Sequence, residues 1–339
     1  MTSWPAELRK KWFVVERADR ITTKPVAAAL LERPIVLARV DGQRVVGYED
    51  RCPHRQVPLS AGRVVDGTLQ CAYHGWRFDP SGALVELPGA PTGSCLPNVR
   101  ARAIDIIENG GLVWARLEHD SEADMPQAIR GLSDENRRFL WKSTWHASAA
   151  DILENVLDPL HTHFVHRGLI RVPATRCDTL AVFSSTADGF TVDYKGNAQQ
   201  SGLIYRLFES PREFERSHFF EPGSLQLDYG YRNGSRVRIS IHVSPESEHR
   251  SNVFGTLHVD GRSAPGWAVR LFVWPLIRKV AHQDRDILSL RTDNIRRFPE
   301  RKDVITSYDL VRRQILARWD MDFADTSNAS ADGETLLKL

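Results

Sequence analysis

Two short stretches decide the fold: Cys52-Pro-His54, and Cys71-Ala-Tyr-His74-Gly-Trp, which begins after 16 intervening residues. Each stretch offers one cysteine and one histidine, so the two together can close a metal site at loops between strands. Zinc is one alternative, although zinc sites usually keep the two cysteines together and the two histidines together. One Cys and one His per loop favour a [2Fe–2S] cluster, in which Cys52 and Cys71 hold one iron while His54 and His74 hold the other.

The residues around these stretches, up to about residue 118, predict a small all-β domain. Runs rich in β-forming residues at 34–40 and 43–48 are joined by Asp41-Gly42, which is a strong hairpin signal. A helix is suggested at one place only, as a short one near residues 27–31. We therefore expect residues 1–118 to form the first domain.

Residues 119–339 alternate between helical and strand patterns and are expected to form a second domain. The patterns predict helix over 147–167, strands over 178–260 with a hairpin around Asn233-Gly234, and mostly helix over 265–317. Strands flanked by helices within one segment indicate an α+β domain with an antiparallel sheet. The fold class predicted for the whole chain is therefore α+β, with an all-β domain first.

Composition excludes several classes of protein. With 45 basic and 43 acidic residues among 339, the net charge of +2 gives no field that favours nucleic acid or a membrane. The first residues have no apolar signal segment, and the longest apolar stretches are too short to span a bilayer. We therefore expect a cytoplasmic protein, in which four cysteines are not a disulfide framework. Cys95 and Cys177 have no partner at ligand spacing and are interpreted as ordinary buried thiols.

The stretch from residue 52 to residue 78 resembles the Rieske domain of the aromatic-ring oxygenases. Cys-Pro-His-Arg at 52–55, Pro-Leu-Ser-x-Gly at 58–62 and Cys-x-Tyr-His-Gly-Trp-x-Phe at 71–78 match that family's pattern. The resemblance implies a Rieske cluster rather than zinc. Two neutral imidazoles in place of two thiolates raise the reduction potential of such a cluster.

A second group of chemistry-bearing residues lies in the helical segment. Asn155, Asp158 and His161 form a polar stripe at intervals of three, which on an arbitrary helix is usually a solvated face. His161 and His166 are five apart, so on a regular helix they lie roughly 140° from each other. They can meet at one ion only if the helix ends or bulges between them, and Gly168 is consistent with an ending.

The pattern Asn-x-x-Asp-x-x-His-x4-His over residues 155–166 is similar to the mononuclear iron motif of the same family. The resemblance implies that His161 and His166 are iron ligands and that Asn155 lies near the iron without binding it. His163 lies off the motif and is interpreted as structural.

Asp158 matches the carboxylate that, in this family, links the Rieske histidine of one subunit to an iron ligand of its neighbour. By the resemblance it would link His74 to His161 of the neighbouring copy and orient both imidazoles. The alternative is structural, because an acid before Pro159 can also cap a turn or face water.

A 2-His-1-carboxylate iron site needs an acid from elsewhere in the chain. Asp284 falls within the apolar stripe of a predicted helix, whereas Asp286 lies on the other side. A carboxylate facing a core is costly unless it is paired or bound to metal, so we favour Asp284 over Asp286. The Gln283-Asp284 pair also resembles the family's context for this ligand. The apolar stripe consists of Ile277, Val280, Ala281, Ile287 and Leu288.

The resemblance implies an O₂-dependent oxygenase that works as a head-to-tail homotrimer. In this interpretation, the Rieske cluster relays electrons to mononuclear Fe(II), and the enzyme monooxygenates a small aromatic substrate by hydroxylation or oxidative O- or N-demethylation. The group that includes dicamba monooxygenase and vanillate O-demethylase has this compact length. cis-Dihydroxylation of an arene is the alternative within the family. A Rieske electron-transfer protein is the alternative from another class, and it would leave the residues after 118 unexplained.

The chain has no Rossmann or P-loop fingerprint, so electrons from NAD(P)H would have to arrive through a separate flavin reductase, with or without a ferredoxin. Arg296-Arg297 and Arg312-Arg313 are basic pairs that could dock an acidic carrier, although solvated helix faces explain them equally well. Residues 178–275 are expected to build the substrate pocket. His218, His242 and His258 lie in that range as candidate substrate contacts, although a histidine in a strand is more often packed or solvated.

Overall fold

The computed structural model describes residues 4–91, 93–120, 137–196, 201–260, 265–319 and 332–339. The chain divides into two compact units. The smaller unit comprises Ala6–Ala128 and Ser244–Glu248, and the larger comprises Met1–Pro5, Ile129–Val243 and His249–Leu339. The predicted boundary between residues 118 and 119 stays a prediction, because residues 121–136 lie outside the described ranges.

The smaller unit is built from antiparallel strands, with 3-10 turns at Ala6–Lys10, Ala18–Arg20 and Leu59–Ala61. Its strands are β1 Phe13–Arg17, β2 Val26–Leu30, β3 Arg33–Val40, β4 Arg44–Glu49, β5 Arg63–Val65, β6 Thr68–Gln70, β7 Arg77–Phe78, β8 Leu84–Glu86, β9 Ala103–Asn109 and β10 Leu112–Arg116. One sheet has the order β1-β10-β9-β4-β3-β2, and the other has the order β5-β6-β7-β8. This confirms the all-β prediction for the described part of this unit.

The first predicted hairpin is formed by β3 and β4, which pair in antiparallel register. Asp41 and Gly42 have φ of 54° and 69°, and the Gln43 N–H donates to Val40 O at 3.2 Å. Two successive left-handed residues give a turn whose twist matches that of the flanking strands, which is why Asp-Gly marks such hairpins. The short helix suggested near residues 27–31 is wrong. That segment is β2, because pairing with β3 offers it a full ladder, whereas one isolated helical turn is unfavourable.

The larger unit contains an eight-stranded sheet in the order β11-β17-β16-β15-β14-β13-β12-β18, and the strand pairs are antiparallel. These strands are β11 Arg137–Trp145, β12 Asp178–Thr186, β13 Gly189–Lys195, β14 Arg212–Phe220, β15 Ser224–Tyr231, β16 Arg236–Ser247, β17 Arg250–Asp260 and β18 Gly333–Lys338. The predicted hairpin around Asn233-Gly234 is β15–β16. An antiparallel sheet with helices confirms the α+β prediction.

The helices of the larger unit lie between and after these strands. They are α1 Ala149–Leu157, α2 Leu203–Phe208, α3 Gly266–Ala268, α4 Trp274–Arg297 and α5 Arg312–Trp319, with 3-10 turns at Leu160–His163 and Pro173–Thr175 and a π turn at Val269–Val273. The expected helix over 147–167 is therefore regular only in its first half. None of the described helices is long and apolar enough to cross a membrane. Ile287, expected in the apolar stripe of α4, is 42% exposed.

An ion-pair network joins α1, α4 and α5. The Asp151 carboxylate accepts from Arg291 Nη1 at 2.6 Å and from Arg312 Nη1 at 2.9 Å. Arg312 also pairs with Glu154 of α1 and with Asp303. The suggestion that Arg312 belongs to a docking surface is therefore wrong, because its guanidinium is buried among carboxylates.

Candidate functional site: two centres and a cavity

The two cysteine–histidine loops have the same backbone geometry. In the first loop, the Cys52 N–H donates to Val57 O at 2.8 Å, and the Gln56 N–H donates to Cys52 O at 2.9 Å. The same two bonds around Cys71 measure 2.9 and 3.2 Å, with Gly75 as the second donor. Gln56 and Gly75 both have left-handed φ, 65° and 73°. Matching tight turns therefore present one cysteine and one histidine each.

The loops separate their thiols from their imidazoles. Cys52 and Cys71 belong to the hydrophobic core of the smaller unit, whereas His54 is half-buried and His74 is exposed. The two imidazole centroids lie 4.7 Å apart, and His54 stacks on Trp76 at 4.3 Å. A pair of thiols inside and a pair of imidazoles outside is the donor set of a two-iron cluster with one iron of each kind.

The protonation of these groups is shifted by their surroundings. Burial raises the pKa of the Cys52 thiol, and the neighbouring Cys71 thiol raises it further. Desolvation lowers the pKa of His54, and the adjacent His74 lowers it further. A lowered pKa favours the neutral form, in which an imidazole binds metal.

In the larger unit, His161, His166 and Asp284 bring three ligand atoms to within 4.8 Å of one another. His166 Nε2 lies 3.0 Å from Asp284 Oδ1, and His161 Nε2 lies 3.4 Å from the same oxygen. The two Nε2 atoms are 3.2 Å apart. Two imidazoles and one carboxylate converging in this way form the donor set of a facial triad.

The end of α1 is what brings the two histidines together. Pro159 disfavours helical geometry at the residue before it, and Asp158 has φ −83° and ψ 117°. A 3-10 turn then carries His161, and the His166 carbonyl accepts from two N–H groups in a tight loop that contains Gly168 at φ 78°. The helix thus ends before His161, earlier than the expected break between the histidines.

The electrostatics of the triad fit a cation. Burial lowers the pKa of His161, but the carboxylates of Asp158 and Asp284 outweigh burial and raise that pKa to about 9. Burial raises the pKa of Asp284, but His161 and His166 outweigh it and lower that pKa to about 2. Asp284 is buried and ionised, so the site attracts positive charge. Asp286 is exposed and pairs with Arg285.

Asp158 caps the 3-10 turn that follows α1. Its Oδ1 accepts from the Leu160 N–H at 2.9 Å and its Oδ2 from the His161 N–H at 3.2 Å. The same Oδ2 lies 3.5 Å from His161 Nδ1. The structural alternative is therefore observed, while the intersubunit bridge stays a prediction. Asn155 is half-buried, and its amide nitrogen has no hydrogen-bond partner among the described residues.

Gln283 is a neighbour of the triad whose role the sequence does not reveal. Its Oε1 accepts from His166 Nδ1 at 3.0 Å. With Gln283 Oε1 as the acceptor, Nδ1 carries a proton, and in the neutral ring the Nε2 lone pair would face the point where His161 and Asp284 converge. The adjacent Gln283-Asp284 pair in the sequence was the only available signal.

The remaining candidate residues are not among the three that converge at the triad. His163 is buried, and desolvation together with Arg171 and Arg176 lowers its pKa to about 4, which suits its structural interpretation. Cys177 is half-buried and Cys95 is exposed, so the expectation of a buried thiol at Cys95 is wrong. The three strand histidines named above are absent from the described cavity lining, and His242 instead hydrogen-bonds Ser224.

A cavity of about 420 Å³ opens beside the triad. Its size is that of a small-molecule site. His161, His166 and Asp284 contribute to its lining, together with Trp141 and Trp145 of β11. Apolar side chains predominate in the lining and come from β15, β16, β17 and α4 as well as from α1, α2 and the π turn. A polar group is formed by Arg171, Glu209, Arg212, Glu215, Tyr229 and Tyr231.

Comparison with known families matches two segments of the chain. Residues 11–100 match the Rieske [2Fe-2S] domain. Residues 145–321, more than half of the chain, match the vanillate O-demethylase oxygenase C-terminal domain. The chain belongs to the vanillate O-demethylase oxygenase family. This confirms the resemblance drawn from the two motifs.

Curated relatives of this oxygenase family match over about half of this chain. Methylxanthine N1-demethylase NdmA of Pseudomonas putida is 32% identical over 161 residues, covering 47% of this chain and 46% of the relative. The oxygenase component of dicamba O-demethylase from Stenotrophomonas maltophilia is 30% identical over 167 residues, covering 47% and 48%. The vanillate O-demethylase oxygenase subunit of a Pseudomonas strain is 31% identical over 166 residues, covering 48% and 46%. The matches thus span about half the length of these relatives.

Solved structures share the family fold over nearly the whole chain. Dicamba monooxygenase bound to dicamba superposes with a TM-score of 0.75 at 20% identity, covering 91% of this chain and 96% of that one. NdmB of Pseudomonas putida CBB5 gives 0.76 at 21% identity, covering 92% and 90%.

Proposed function

We propose that this chain is the oxygenase component of a Rieske non-heme iron system that monooxygenates a small aromatic molecule. The observation that carries the proposal is the combination, in one chain, of the paired Cys/His loops with a His161–His166–Asp284 triad beside an apolar cavity. For a methoxyarene the balanced reaction is ArOCH₃ + O₂ + 2e⁻ + 2H⁺ → ArOH + HCHO + H₂O. One oxygen atom of O₂ is inserted into a C–H bond of the methyl group, and the other is reduced to water. A reductase supplies the two electrons.

The residues present fit both metal groups. Cys52 and Cys71 would hold one iron of the cluster in the core, and His54 and His74 would hold the other at the surface. At the second site the donor set is two imidazoles and a buried carboxylate, and the Oδ1 of that carboxylate faces only the two histidine Nε2 atoms at 3.0 and 3.4 Å without a well-aligned hydrogen bond among the described residues, an arrangement that suits a metal ligand. When bound, the cluster supplies one-electron transfer, and the mononuclear iron supplies a centre for O₂ activation.

The chain's own groups contribute positioning and exclusion of water. Gln283 holds the proton on His166 Nδ1, so that Nε2 of this ring stays available. Asp158 fixes the backbone of Leu160 and His161 and therefore the direction of the His161 imidazole. The valines, leucines and isoleucines of the lining exclude water from the cavity and accommodate an aromatic ring.

We infer that electrons come from NAD(P)H through a separate flavin reductase, with or without a ferredoxin, because the sequence carries no dinucleotide fingerprint. We also infer a homotrimer in which the relay crosses between copies through Asp158. The demethylases among the relatives favour monooxygenation over cis-dihydroxylation. The triad and its cavity favour an oxygenase over an electron carrier.

The deciding experiment combines metal analysis with product analysis. Iron-replete protein should contain about three irons and two acid-labile sulfides per chain and give a Rieske EPR signal on reduction. With a surrogate reductase, a panel of methoxylated and N-methylated aromatics should yield formaldehyde with O₂ uptake. Two irons with sulfide but no mononuclear iron would favour the carrier, and zinc alone would favour a scaffold. Diol products would favour dihydroxylation.

A further inference from the structure

Arg171 presents an unused hydrogen-bond donor to the cavity. Its side chain is only 4% exposed and contributes to the cavity lining. Its Nη1 has no hydrogen-bond partner within the described part of the chain. A guanidinium stays charged at all relevant pH values, and a buried N–H without an acceptor is unfavourable. A ligand in the cavity that offers an acceptor oxygen would satisfy this donor.

The second arginine of the polar group, Arg212, already has a carboxylate acceptor for each of its three side-chain nitrogens. Arg212 Nη2 lies 2.9 Å from Glu209 Oε2, and Arg212 Nη1 lies 2.8 Å from Glu215 Oε2. The closest approach of Arg171 Nη2 to Glu215 Oε1 is 3.6 Å, which is an ion pair beyond hydrogen-bond distance. Arg171 therefore has a nitrogen with no acceptor among the described residues, whereas every side-chain nitrogen of Arg212 has one.

The charges of this polar group cancel. Arg171 and Arg212 carry two positive charges, and Glu209 and Glu215 carry two negative charges. Among the described lining residues, tyrosines apart, the other ionisable groups are the triad and Asp158, and the two carboxylates of this set would balance the charge of a bound ferrous ion. An anionic ligand would leave one uncompensated negative charge in a largely apolar cavity, which is strongly unfavourable. An uncharged ligand with an acceptor oxygen uses the free donor without that penalty.

The position of Arg171 is fixed relative to the iron-site histidine. The Gly168 N–H donates to Arg171 O at 2.8 Å, and the Leu169 and Ile170 N–H groups donate to His166 O at 2.9 and 3.0 Å. One short loop thus carries both His166 and Arg171. A substrate held by Arg171 is therefore held in a constant relation to the triad.

We propose that Arg171 is the substrate-orienting donor of this site and that its partner is the carbonyl or other acceptor oxygen of an uncharged aromatic substrate. The inference rests on the proposed function, because it names the substrate class of the same cavity. Arg171 would determine orientation and specificity, and the apolar lining would hold the ring.

The test compares three probes of similar shape that share a methoxybenzene ring. 4-Methoxyacetophenone is uncharged and has an acceptor, 4-methoxybenzoate is an anion, and 4-isopropylanisole has no acceptor at that position. Isothermal titration calorimetry with the iron-loaded enzyme and no reductant measures binding without turnover. The ketone should bind about tenfold more tightly than the isopropyl compound, as expected for one hydrogen bond from a charged donor, and more tightly than the benzoate.

Variants identify the donor. In Arg171→Met the ketone preference should fall to about one, while the affinity for 4-isopropylanisole changes less than about twofold. Arg171→Lys keeps the charge but loses the forked donors, and should lower the preference by about threefold or more. Arg176→Met is the matched control, because Arg176 is an exposed arginine that stacks on Phe164 and is absent from the described cavity lining.

Three results would overturn the proposal: equal binding of ketone and isopropyl compound by the wild type, a preference that persists in Arg171→Met, or tighter binding of the benzoate. If Arg171→Met fails to fold, the wild-type series and Arg171→Lys still decide. Tight, Arg171-dependent ketone binding with no formaldehyde on adding reductase would contradict the proposed function alone.

Discussion

At the scale of single residues, the hydrogen bond from His166 Nδ1 to Gln283 controls how the triad is presented to a metal. Gln283→Leu removes the acceptor, so the His166 ring can rotate or change tautomer. We expect iron affinity at this site to fall about 10- to 100-fold while the Rieske spectrum stays unchanged. Equilibrium titration with Fe(II) followed by metal analysis measures the change.

Gln283→Glu is the matched variant, because its carboxylate keeps an acceptor for the same N–H. It should retain more iron than Gln283→Leu. An equal loss in both variants would contradict the role of this hydrogen bond.

The choice between two neighbouring carboxylates is also a single-residue question. Asp284→Asn should lose mononuclear iron because a neutral amide replaces the buried anionic donor. Asp286→Asn should keep it, since Asp286 is exposed and paired with Arg285. The ratio of iron to acid-labile sulfide distinguishes them, and iron loss from Asp286→Asn would reverse our assignment.

The sequence reveals some of these residues and hides others for a physical reason. Asp284 stands out because a carboxylate in an apolar helical stripe needs a partner. Gln283 does not stand out, because its bond to His166 joins residues 117 positions apart. Arg171 lies in a loop with no periodic pattern, so its burial beside Glu215 is visible only in three dimensions.

At the scale of secondary-structure elements, Asp158 ends one helix and begins the next turn, so its substitution should have two separable effects. Asp158→Ala removes a cap and should lower the free energy of unfolding by about 1 kcal/mol. It should also nearly stop turnover while both metal centres stay loaded, if the relay passes through this carboxylate. Denaturant unfolding measures the first effect, and single-turnover oxidation of the reduced cluster measures the second.

Asp158→Asn is the control because its amide oxygen can still accept a backbone N–H. It should recover most of the stability but little of the turnover. Full activity in either variant would remove Asp158 from the relay.

The pairing of β15 with β16 buries His242 against Ser224, with His242 Nδ1 2.7 Å from the hydroxyl. Burial lowers the pKa of His242 to about 3, well below the value near 6.5 of an unfolded chain. Between these values the unfolded chain binds a proton that the folded chain does not. The stability that depends on neutral His242 is therefore complete above about pH 6.5 and is lost progressively as the pH falls.

His242→Asn should reduce the dependence of unfolding free energy on pH by up to about 1.4 kcal/mol per pH unit between pH 6 and 4. Urea titrations across this range provide the measurement. His282→Asn, at an exposed position of α4, serves as the comparison and should leave the slope nearly unchanged. Equal slopes in wild type and His242→Asn would show that the histidine is not buried in the neutral form.

Local signals predict elements well when the turn chemistry is specific. Asp41-Gly42 and Asn233-Gly234 each mark a hairpin because few residues adopt left-handed φ easily. The segment at residues 27–31 was wrongly suggested as helix, because an alanine-rich run has no strong preference for a strand and its pairing with β3 is a tertiary effect. The end of α1 at Leu157 follows from Pro159. The five-residue spacing of His161 and His166 instead predicts a break between these two histidines.

At the scale of the whole molecule, the proposed relay between copies can be tested by complementation. Cys52→Ser should disable the cluster, and Asp284→Ala should disable the mononuclear iron. Neither variant alone should turn over. Trimers assembled from an equal mixture should regain about a quarter of wild-type activity, since a productive interface needs one functional centre on each side. Formaldehyde release after joint refolding or coexpression is the measurement.

If transfer occurs within one chain, the mixed assembly stays inactive. Mixing two separate batches of the same variant controls for reactivation during assembly.

The ion-pair network of Asp151, Arg291 and Arg312 has a further consequence. It fastens α1, which leads directly into the loop of the two histidines, to α4, which carries Asp284. These side-chain contacts therefore help to hold together donors that come from distant parts of the sequence. Assembly of the donors does not by itself select ferrous iron, because nitrogen and oxygen donors generally bind cobalt, nickel or zinc more tightly. Which ion the protein acquires is then determined by supply during synthesis, so expression medium and purification buffers should govern the active fraction.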